Sequence, residues 1–347
     1  MSESISQKDL VRRALAGLDV PRPAVGPLAV HYCSRFAGVS LREYTTNARA
    51  MADSVVKYYE KFRPDAVWVS ADTWVTAEAM GAAVCSRGED QPVDGCGRIT
   101  VKNAHDISRI PFADPFSQGR MPLMLEALSR IKAAIGDEVF IIACFDQYPF
   151  SAAAALMGID QVMLRLFDDQ PLIEALMQRG LEYATAYALA LAEGGADMLS
   201  GGDSPAGLIG PKFYRDVAAP YERKLIEQIH AGCDLPVSLH ICGDATSILA
   251  DMACTSADIL EIDYMTDIDK ACKIVVPEIT LWGNLDPVGL LCQSSAQEVT
   301  IKTQELCDAF RRNGRRRFVL SSGCTLAMET PAENLHALIE TARKLTP

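Results

Sequence analysis

Short apolar runs alternate with longer helical patterns along most of the chain. Most of the runs are aliphatic on both faces, which is typical of parallel strands buried on both sides. Eight runs are predicted as strands: Pro27–His31, Ala66–Ser70, Val139–Ala143, Ala196–Ser200, Pro236–His240, Asp258–Ile262, Ile279–Trp282 and Arg317–Ser321.

Helical spacing of apolar residues fills the intervals between these strands. The clearest predicted helices are Met121–Ile135, Pro171–Ala192, Lys212–Ala231 and Ala296–Arg312. Strands that alternate with helices predict a parallel sheet, and eight of them favour a closed (β/α)8 barrel, an α/β fold, over an open doubly wound sheet. We therefore expect one domain over residues 1–347, in which residues 1–26 form an N-terminal helical extension with a helix around Gln7–Leu18. The segment Gly81–Phe116 lacks clear periodicity and is interpreted as a long excursion at the rim of the active site.

The charge balance argues against nucleic acid as a partner. The chain carries 33 Lys+Arg against 45 Asp+Glu, a net charge of −12, and an acidic surface repels phosphate backbones. The basic run Arg315–Arg317 is interpreted as a solvated turn. No apolar run approaches the roughly 18 residues that a membrane span needs. The eleven irregularly spaced cysteines do not resemble a disulfide scaffold, so we expect a reducing cytoplasm.

Polar side chains follow most of the predicted strands, where the active site of a parallel barrel is built. A ring of carboxylates, thiols and imidazoles of this density predicts an enzyme site. It comprises His31, Cys33, Asp72, Asp146, Gln147, Tyr148, Asp203, His240, Cys242, Asp263, Asn284, Asp286 and Cys324.

The spacing of His240 and Cys242 points to a metal. Residues i and i+2 of a strand point the same way, so both side chains can face the barrel mouth. Cys324, just after the last strand, offers a second thiol, and two thiolates with one imidazole are typical of zinc. His31 and Cys33 form a rival pair. The alternative is a buried neutral histidine and unreactive core thiols.

Several motifs together resemble the uroporphyrinogen decarboxylase superfamily. These are His240-Ile241-Cys242-Gly243-Asp244, Glu261-Ile262-Asp263-Tyr264, Gly283-Asn284-Leu285-Asp286-Pro287, Ser322-Gly323-Cys324 and Thr330-Pro331-Ala332-Glu333-Asn334-Leu335. The resemblance implies the (β/α)8 barrel and two possible activities. The decarboxylases have an arginine-rich segment after the first strand, where this chain has only Arg35. Because a porphyrinogen with many carboxylates needs several fixed cations, this departure favours the other branch, the zinc methyltransferases that work with corrinoid proteins.

The resemblance implies the zinc ligands, and the polar residues that follow the strands supply the other predicted roles. Zinc would be held by His240, Cys242 and Cys324, with Glu261 or Asp263 as the fourth ligand or as an orienting group. The predicted catalytic residues are Asp263, Asp72 and Asp203, and the predicted cofactor-binding residues are Asn284 and Asp146. The implied partners are a corrinoid-binding protein, which supplies a methylcobamide, and a small methyl donor or acceptor. The alternatives are a methyltransferase for methoxy or methylamine substrates, a metal-free decarboxylase and a non-catalytic binding barrel.

Overall fold

Eight parallel strands form one sheet that curls into a barrel. The structure, a computed structural model, describes residues 5–94 and 100–345. The barrel strands are β1 (Ala24–Val25), β2 (Ala66–Val69), β5 (Phe140–Gln147), β6 (Met198–Gly202), β7 (Val237–Ile241), β8 (Ile259–Ile262), β9 (Thr280–Leu285) and β10 (Phe318–Ser322); β3 (Val84–Ser86) and β4 (Pro92–Asp94) form a separate hairpin. The order in the sheet is β1-β10-β9-β8-β7-β6-β5-β2. The predicted (β/α)8 barrel is confirmed.

Asp65 closes the gap between β1 and β2, which share no ladder. Its N–H donates to the carbonyl of Val25 over 2.8 Å, and its carboxylate accepts the N–H of Val25 over 2.9 Å. The guanidinium of Arg22 binds both oxygens of Asp65 at 2.7 Å. One paired carboxylate therefore replaces the missing strand hydrogen bonds.

Helices surround the barrel. They are α1 (Gln7–Leu15), α2 (Ser34–Ala37), α3 (Leu41–Thr46), α4 (Ala48–Phe62), α5 (Val75–Ala79), α6 (Ala104–Ser108), α7 (Met121–Ile135), α8 (Pro149–Met157), α9 (Ile159–Asp168), α10 (Gln170–Glu193), α11 (Gly210–Phe213), α12 (Ala219–Gly232), α13 (Leu249–Met252), α14 (Ile268–Ile274), α15 (Ala296–Arg312) and α16 (Ala332–Lys344). The prediction of one helix over Lys212–Ala231 is wrong in detail, because a π-helical turn at Tyr214–Ala218 separates α11 from α12. Pro220 has no N–H to continue the α-helical pattern there.

The first predicted strand lies in the wrong place. The strand is Ala24–Val25, within the predicted extension, and His31–Cys33 forms a 3₁₀ turn. Pro27 has no N–H for a ladder, so the pairing stops after Gly26 donates to the carbonyl of Leu320. A Cβ at Gly26 would lie 2.6 Å from the Trp282 ring that fills the barrel, so the chain needs glycine at this point.

The helix α1 covers the amino end of the barrel. The N–H of Lys8 donates to the carbonyl of Glu138, and its ammonium pairs with the buried Asp197 at 2.8 Å. Loops surround the opposite, carboxyl end of the barrel. The excursion after α5 contains the β3–β4 hairpin and α6, and its residues 95–99 lie outside the described part.

The described helices contain no single membrane-crossing candidate by length and apolar composition. Only α8 and α9 taken together, bent by 107°, meet that test.

Candidate metal centre

Four potential metal ligands converge at the carboxyl end of the barrel. His240, Cys242, Asp263 and Cys324 each offer one ligand atom, and these atoms all lie within 4.8 Å of one another. His240 is the last residue but one of β7, Cys242 follows that strand, Asp263 follows β8 and Cys324 lies just after β10. The structure thus brings together the three predicted zinc ligands and Asp263.

The distance between the two thiol sulfurs fits a tetrahedral zinc ion. The Sγ atoms of Cys242 and Cys324 are 3.8 Å apart. Zn–S bonds of about 2.3 Å at the tetrahedral angle give about 3.8 Å between two sulfurs. The Nε2 atom of His240 is 3.1 Å from Sγ of Cys242, which is shorter than the ideal separation of about 3.5 Å. A donor set of two sulfurs, one nitrogen and one oxygen suits zinc.

Backbone contacts orient His240 and Cys242. Nδ1 of His240 lies 3.1 Å from the carbonyl of Glu261; donating its proton there leaves Nε2 free as the ligand atom. The N–H of Asp203 donates to the carbonyl of His240 over 2.8 Å. The N–H of Cys242 donates to Oγ of Ser204 over 3.3 Å. The segment after β6 therefore supports the ligand loop after β7.

The loops after β8, β9 and β10 support Asp263 and Cys324. The side-chain amide of Asn284 donates to the carbonyls of Asp263 and Thr266 at 3.1 and 2.9 Å. The N–H of Gly323 donates to the carbonyl of Leu285 over 2.7 Å. A Cβ at Gly323 would lie 2.3 Å from the backbone nitrogen of Tyr264, so glycine permits the close approach of these loops. Asn284 is predicted to bind a cofactor. In the structure, its side-chain amide holds the loop that carries Asp263 in place.

The two thiols differ in acidity because they interact with each other. A hydrogen bond with Cys324 lowers the pKa of Cys242 to about 7, against the opposing effect of burial. The same contact, with burial, raises the pKa of Cys324 to about 12. Burial favours neutral His240, but Cys324 and Glu261 outweigh it and raise the pKa of His240 to about 9. A metal ion would displace these protons, so its affinity must increase with pH.

Glu261 lies behind the four ligands. The hydroxyls of Ser200 and Ser238 both donate to its Oε1, the former over 2.7 Å. Its Oε2 is 4.0 Å from Nδ1 of His240. Burial raises the pKa of Glu261. Of the two acids considered for the fourth position, Asp263 lies among the ligand atoms and Glu261 orients the imidazole.

Asp72 is held by a buried ion pair. Both of its oxygens bind the guanidinium of Arg120, one at 3.0 Å, and Oδ1 also accepts the N–H of Trp74. Nε of Arg120 binds Glu78 at 2.6 Å. Asp72 lies outside the four-ligand group, and Arg120, which sequence reasoning missed, occupies both of its oxygens.

Asp146 and Asp203 are buried and also lie outside the ligand group. Burial raises the pKa of Asp146 to about 8, and that of Asp203 to about 6. Asp146 adopts a positive φ of 77°; one oxygen accepts the N–H of Thr76, and the other has no partner in the described chain. Asp203 accepts both the N–H and the hydroxyl of Ser151 at 2.7 Å. Its backbone N–H, rather than its carboxylate, contacts β7, by donating to the carbonyl of His240.

The rival pair does not join the site. The Nε2 atom of His31 binds the carbonyl of Ala71, and the thiol of Cys33 donates to the carbonyl of Ala29, each at 2.5 Å. Burial lowers the pKa of His31 and raises the pKa of Cys33. Two polar groups satisfied by backbone in this way behave as core residues.

A sequence profile of the uroporphyrinogen decarboxylase (URO-D) family matches residues 6–345. The chain belongs to the uroporphyrinogen decarboxylase family. Relatives named as methyltransferases and relatives named as decarboxylases are both similar to it. The methylcobamide:CoM methyltransferase MtbA of Methanosarcina acetivorans is 31% identical over 80% of this chain and 79% of its own. A uroporphyrinogen decarboxylase of Prochlorococcus marinus strain MIT 9515 is 26% identical over 88% of this chain and 87% of its own.

Solved structures support the same fold. A methyltransferase from Methanosarcina mazei has a TM-score of 0.88 at 24% identity, covering 98% of this chain and 99% of its own. A B12-independent methionine synthase from Shewanella has a TM-score of 0.60 at 12% identity, covering 93% and 98%. With the MtbA relatives, the family match confirms the expectation of an enzyme on the methyltransferase side of the family.

The single arginine at the place of the decarboxylases' arginine-rich segment is already engaged. Arg35 donates to the carbonyls of Met328 and Thr330 at 2.6 and 2.8 Å and lies over the Tyr32 ring. The side chain of Arg35 therefore has a structural role in this chain.

Three serines that support the candidate ligands were missed in the sequence, because an isolated serine in a strand or loop carries no distinctive sequence signal. They are Ser200, Ser204 and Ser238.

Proposed function

We propose that this chain is a zinc-dependent methyltransferase that moves a methyl group between a corrinoid protein and a small thiol. The observation that carries the proposal is the convergence of His240, Cys242, Cys324 and Asp263 within 4.8 Å. The similarity to methylcobamide:CoM methyltransferases supports the corrinoid part. The open carboxyl end of the barrel offers a partner protein direct access to this cluster.

The four side chains would each have a defined role at the metal. When bound, zinc would supply Lewis-acid activation: a substrate thiol that takes the position of Asp263, the one that a catalytic site must leave open, would become acidic enough to react as thiolate near neutral pH. Cys242, Cys324 and Asp263 bring negative charge, which keeps a substrate sulfur nucleophilic. Glu261 and its backbone carbonyl hold the imidazole of His240 in one orientation.

The proposed reaction conserves charge and atoms. The substrate thiol loses its proton to solvent, and its sulfur attacks the methyl group of a methylcob(III)amide on the partner protein. The carbon–cobalt electron pair stays on cobalt, so the products are a thioether and cob(I)amide. In the reverse direction, cob(I)amide removes the methyl group from a methylated substrate. A reducing cytoplasm, which keeps Cys242 and Cys324 as thiols, is part of the proposal.

Metal analysis and a transfer assay on the same preparation test the proposal. We expect about one zinc per chain, and methyl transfer from methylcobalamin to a small thiol, followed by the absorbance of the cobalamin. Cys242→Ala and Cys324→Ala should lose both zinc and transfer. Cys254→Ala is the matched control, because Cys254 is exposed and outside the ligand group. Less than roughly half an equivalent of zinc, unchanged in the two ligand variants, would contradict the proposal.

Decarboxylation is the second candidate, because relatives of that name cover 88% of this chain. It predicts carbon dioxide release from uroporphyrinogen without dependence on zinc. The engaged Arg35 disfavours it. A third outcome is methyl transfer from a methoxy or methylamine donor to cob(I)alamin, with no transfer to a thiol. The proposed metal chemistry would then stand, and the substrate would be the methoxy or methylamine compound.

A further inference from the structure

A cavity of about 590 Å³ lies at the amino end of the barrel, between the segment that follows α1 and the turn between α15 and β10. Phe318 at the start of β10 lines it, whereas Ser322 at the end of the same strand leads to Cys324. The cavity and the metal centre are therefore at opposite ends of the barrel. Volumes of 300–1,000 Å³ are typical of small-molecule sites.

Three arginines line this cavity: Arg311, Arg315 and Arg316. The sequence-based interpretation of the run as a solvated turn is wrong for Arg315, which is only 5% exposed. Its Nη1 and Nη2 donate to the carbonyls of Val275 and Ile279, and its Nε has no hydrogen-bond partner within the described part of the chain. One wall of the cavity is thus a fixed buried cation.

Arg311 has an unused edge. Its Nη1 donates to Asp308 at 3.1 Å, but its buried Nε and Nη2 find no partner in residues 5–94 and 100–345. These two N–H groups lie against the buried thiol of Cys307, and sulfur is a weak acceptor. They form the side of a guanidinium that can grip a carboxylate or phosphate at two points. Arg311 lines the cavity, so a turn of its guanidinium away from the thiol would exchange a weak acceptor for the oxygens of a bound anion.

The remaining charges leave the cavity cationic. Arg316 pairs with Asp19, but their side chains are 65% and 89% exposed. An exposed pair of this kind contributes little to stability, so an anion can replace Asp19 at little cost. Three guanidinium groups face two carboxylates, Asp19 and Asp308.

The other walls are apolar. Leu18, Val20 and Pro23 line one side, and Phe318, stacked on Phe310 at 4.4 Å, lines another. Leu18 is 53% exposed although it is apolar. We propose that this cavity binds a small organic anion, with its oxyanion head on Arg311 and Arg316 and its apolar body against Leu18 and Phe318. The proposal does not depend on the metal centre or on methyl transfer.

Calorimetric titration of the full chain tests the site with defined probes. We expect hexanoate or hexyl phosphate to bind saturably at one site, acetate to bind more weakly because it lacks the apolar body, and hexylamine not to bind. The preference between the first two probes identifies the head group. Arg311→Gln should weaken binding at least about tenfold, the loss expected for a charge-assisted contact. Arg312→Gln is the matched control, because Arg312 binds Asp269 instead.

A second variant protects the test against misfolding. Leu18→Glu places a carboxylate at the cavity from an exposed position, so the fold should persist and binding should be lost. Circular dichroism and the midpoint of urea denaturation check that both variants are folded. Equal affinity of the wild type and Arg311→Gln, binding of hexylamine as strong as that of hexanoate, or no saturable binding of either anion would overturn the proposal.

Discussion

Ser204 accepts a hydrogen bond from the backbone N–H of Cys242 over 3.3 Å. The serine belongs to the segment after β6, so one hydroxyl holds the loop after β7 that carries the proposed metal ligand Cys242. Removing a group that orients a ligand typically costs 10–100-fold in metal affinity. We expect Ser204→Ala to weaken zinc binding by about tenfold in chelator competition, and Ser204→Thr, which keeps the hydroxyl, to restore most of it.

The control for Ser204 lies in the same ligand loop. The hydroxyl of Thr246 donates to the exposed Asp244 and, within the described part of the chain, makes no hydrogen bond to a proposed ligand, so Thr246→Ala should leave zinc affinity unchanged. The spectrum of the cobalt-substituted protein reports ligand geometry directly. An identical spectrum and affinity in Ser204→Ala would show that the loop is held without Ser204.

The parallel barrel is predictable from sequence because its strands are apolar on both faces. The β7 strand also carries its own site signal, since the i, i+2 spacing of His240 and Cys242 puts both at the barrel mouth. The first strand is not predictable in this way. Only Ala24 and Val25 pair with β10, and the Asp65 contacts that complete the closure come from a residue 40 positions along the chain.

The surroundings of the site depend on contacts between distant residues. Arg120 reaches Asp72 across 48 positions of sequence, and Asn284 reaches Asp263 across 21. Periodicity reports which face of an element is buried, but it carries no information about such pairs. Burial of Arg315 is missed for the same reason, because its acceptors are the carbonyls of Val275 and Ile279. Cys324 was predicted from its position just after the last strand, and the family resemblance then supported it, since no spacing relates it to His240.

Gly323 is required by the contact between the loops after β8 and β10. A Cβ at this position would lie 2.3 Å from the nitrogen of Tyr264 and 3.0 Å from the carbonyl carbon of Asp263, and backbone atoms cannot rotate away. Gly323→Ala should therefore lower the free energy of unfolding by about 1–3 kcal/mol and reduce zinc content. Gly202→Ala is the control, because its nearest neighbour would be 3.8 Å away. Equal urea midpoints for the two variants would contradict this explanation.

The Arg120–Asp72 pair should be strongly coupled. Both side chains are buried, and removing one partner of a buried ion pair costs about 3–5 kcal/mol because the other charge is left unpaired. We expect Arg120→Met and Asp72→Asn each to be destabilising, and the double variant to be more stable than the sum of the single effects predicts. Urea denaturation of all four proteins measures this coupling. Additive losses would refute the coupling.

Asp72 is also a predicted catalytic residue. A loss of methyl transfer in Asp72→Asn that exceeds the loss of folded protein would support that role.

Asp146 should make the protein less stable as pH rises. Burial raises its pKa to about 8 in the folded protein, whereas an unfolded aspartate has a pKa of about 3.9. The folded state therefore keeps a proton that the unfolded chain loses, and this stabilisation, complete below about pH 4, disappears as pH rises through about 8. Asp146→Asn keeps an acceptor for the N–H of Thr76 and cannot ionise. At pH 9 we expect Asp146→Asn to exceed the wild type in free energy of unfolding by at least about 1.4 kcal/mol, the equivalent of one pKa unit, with little difference at pH 4.

The control is the exposed Asp114, whose pKa is lowered by hydrogen bonds from Ser117 and Phe116. Asp114→Asn should give no gain in stability at pH 9. Urea denaturation at pH 4 and pH 9 measures the free energy of unfolding of each protein. Equal stability of the wild type and Asp146→Asn at pH 9 would refute the explanation that Asp146 holds a buried proton.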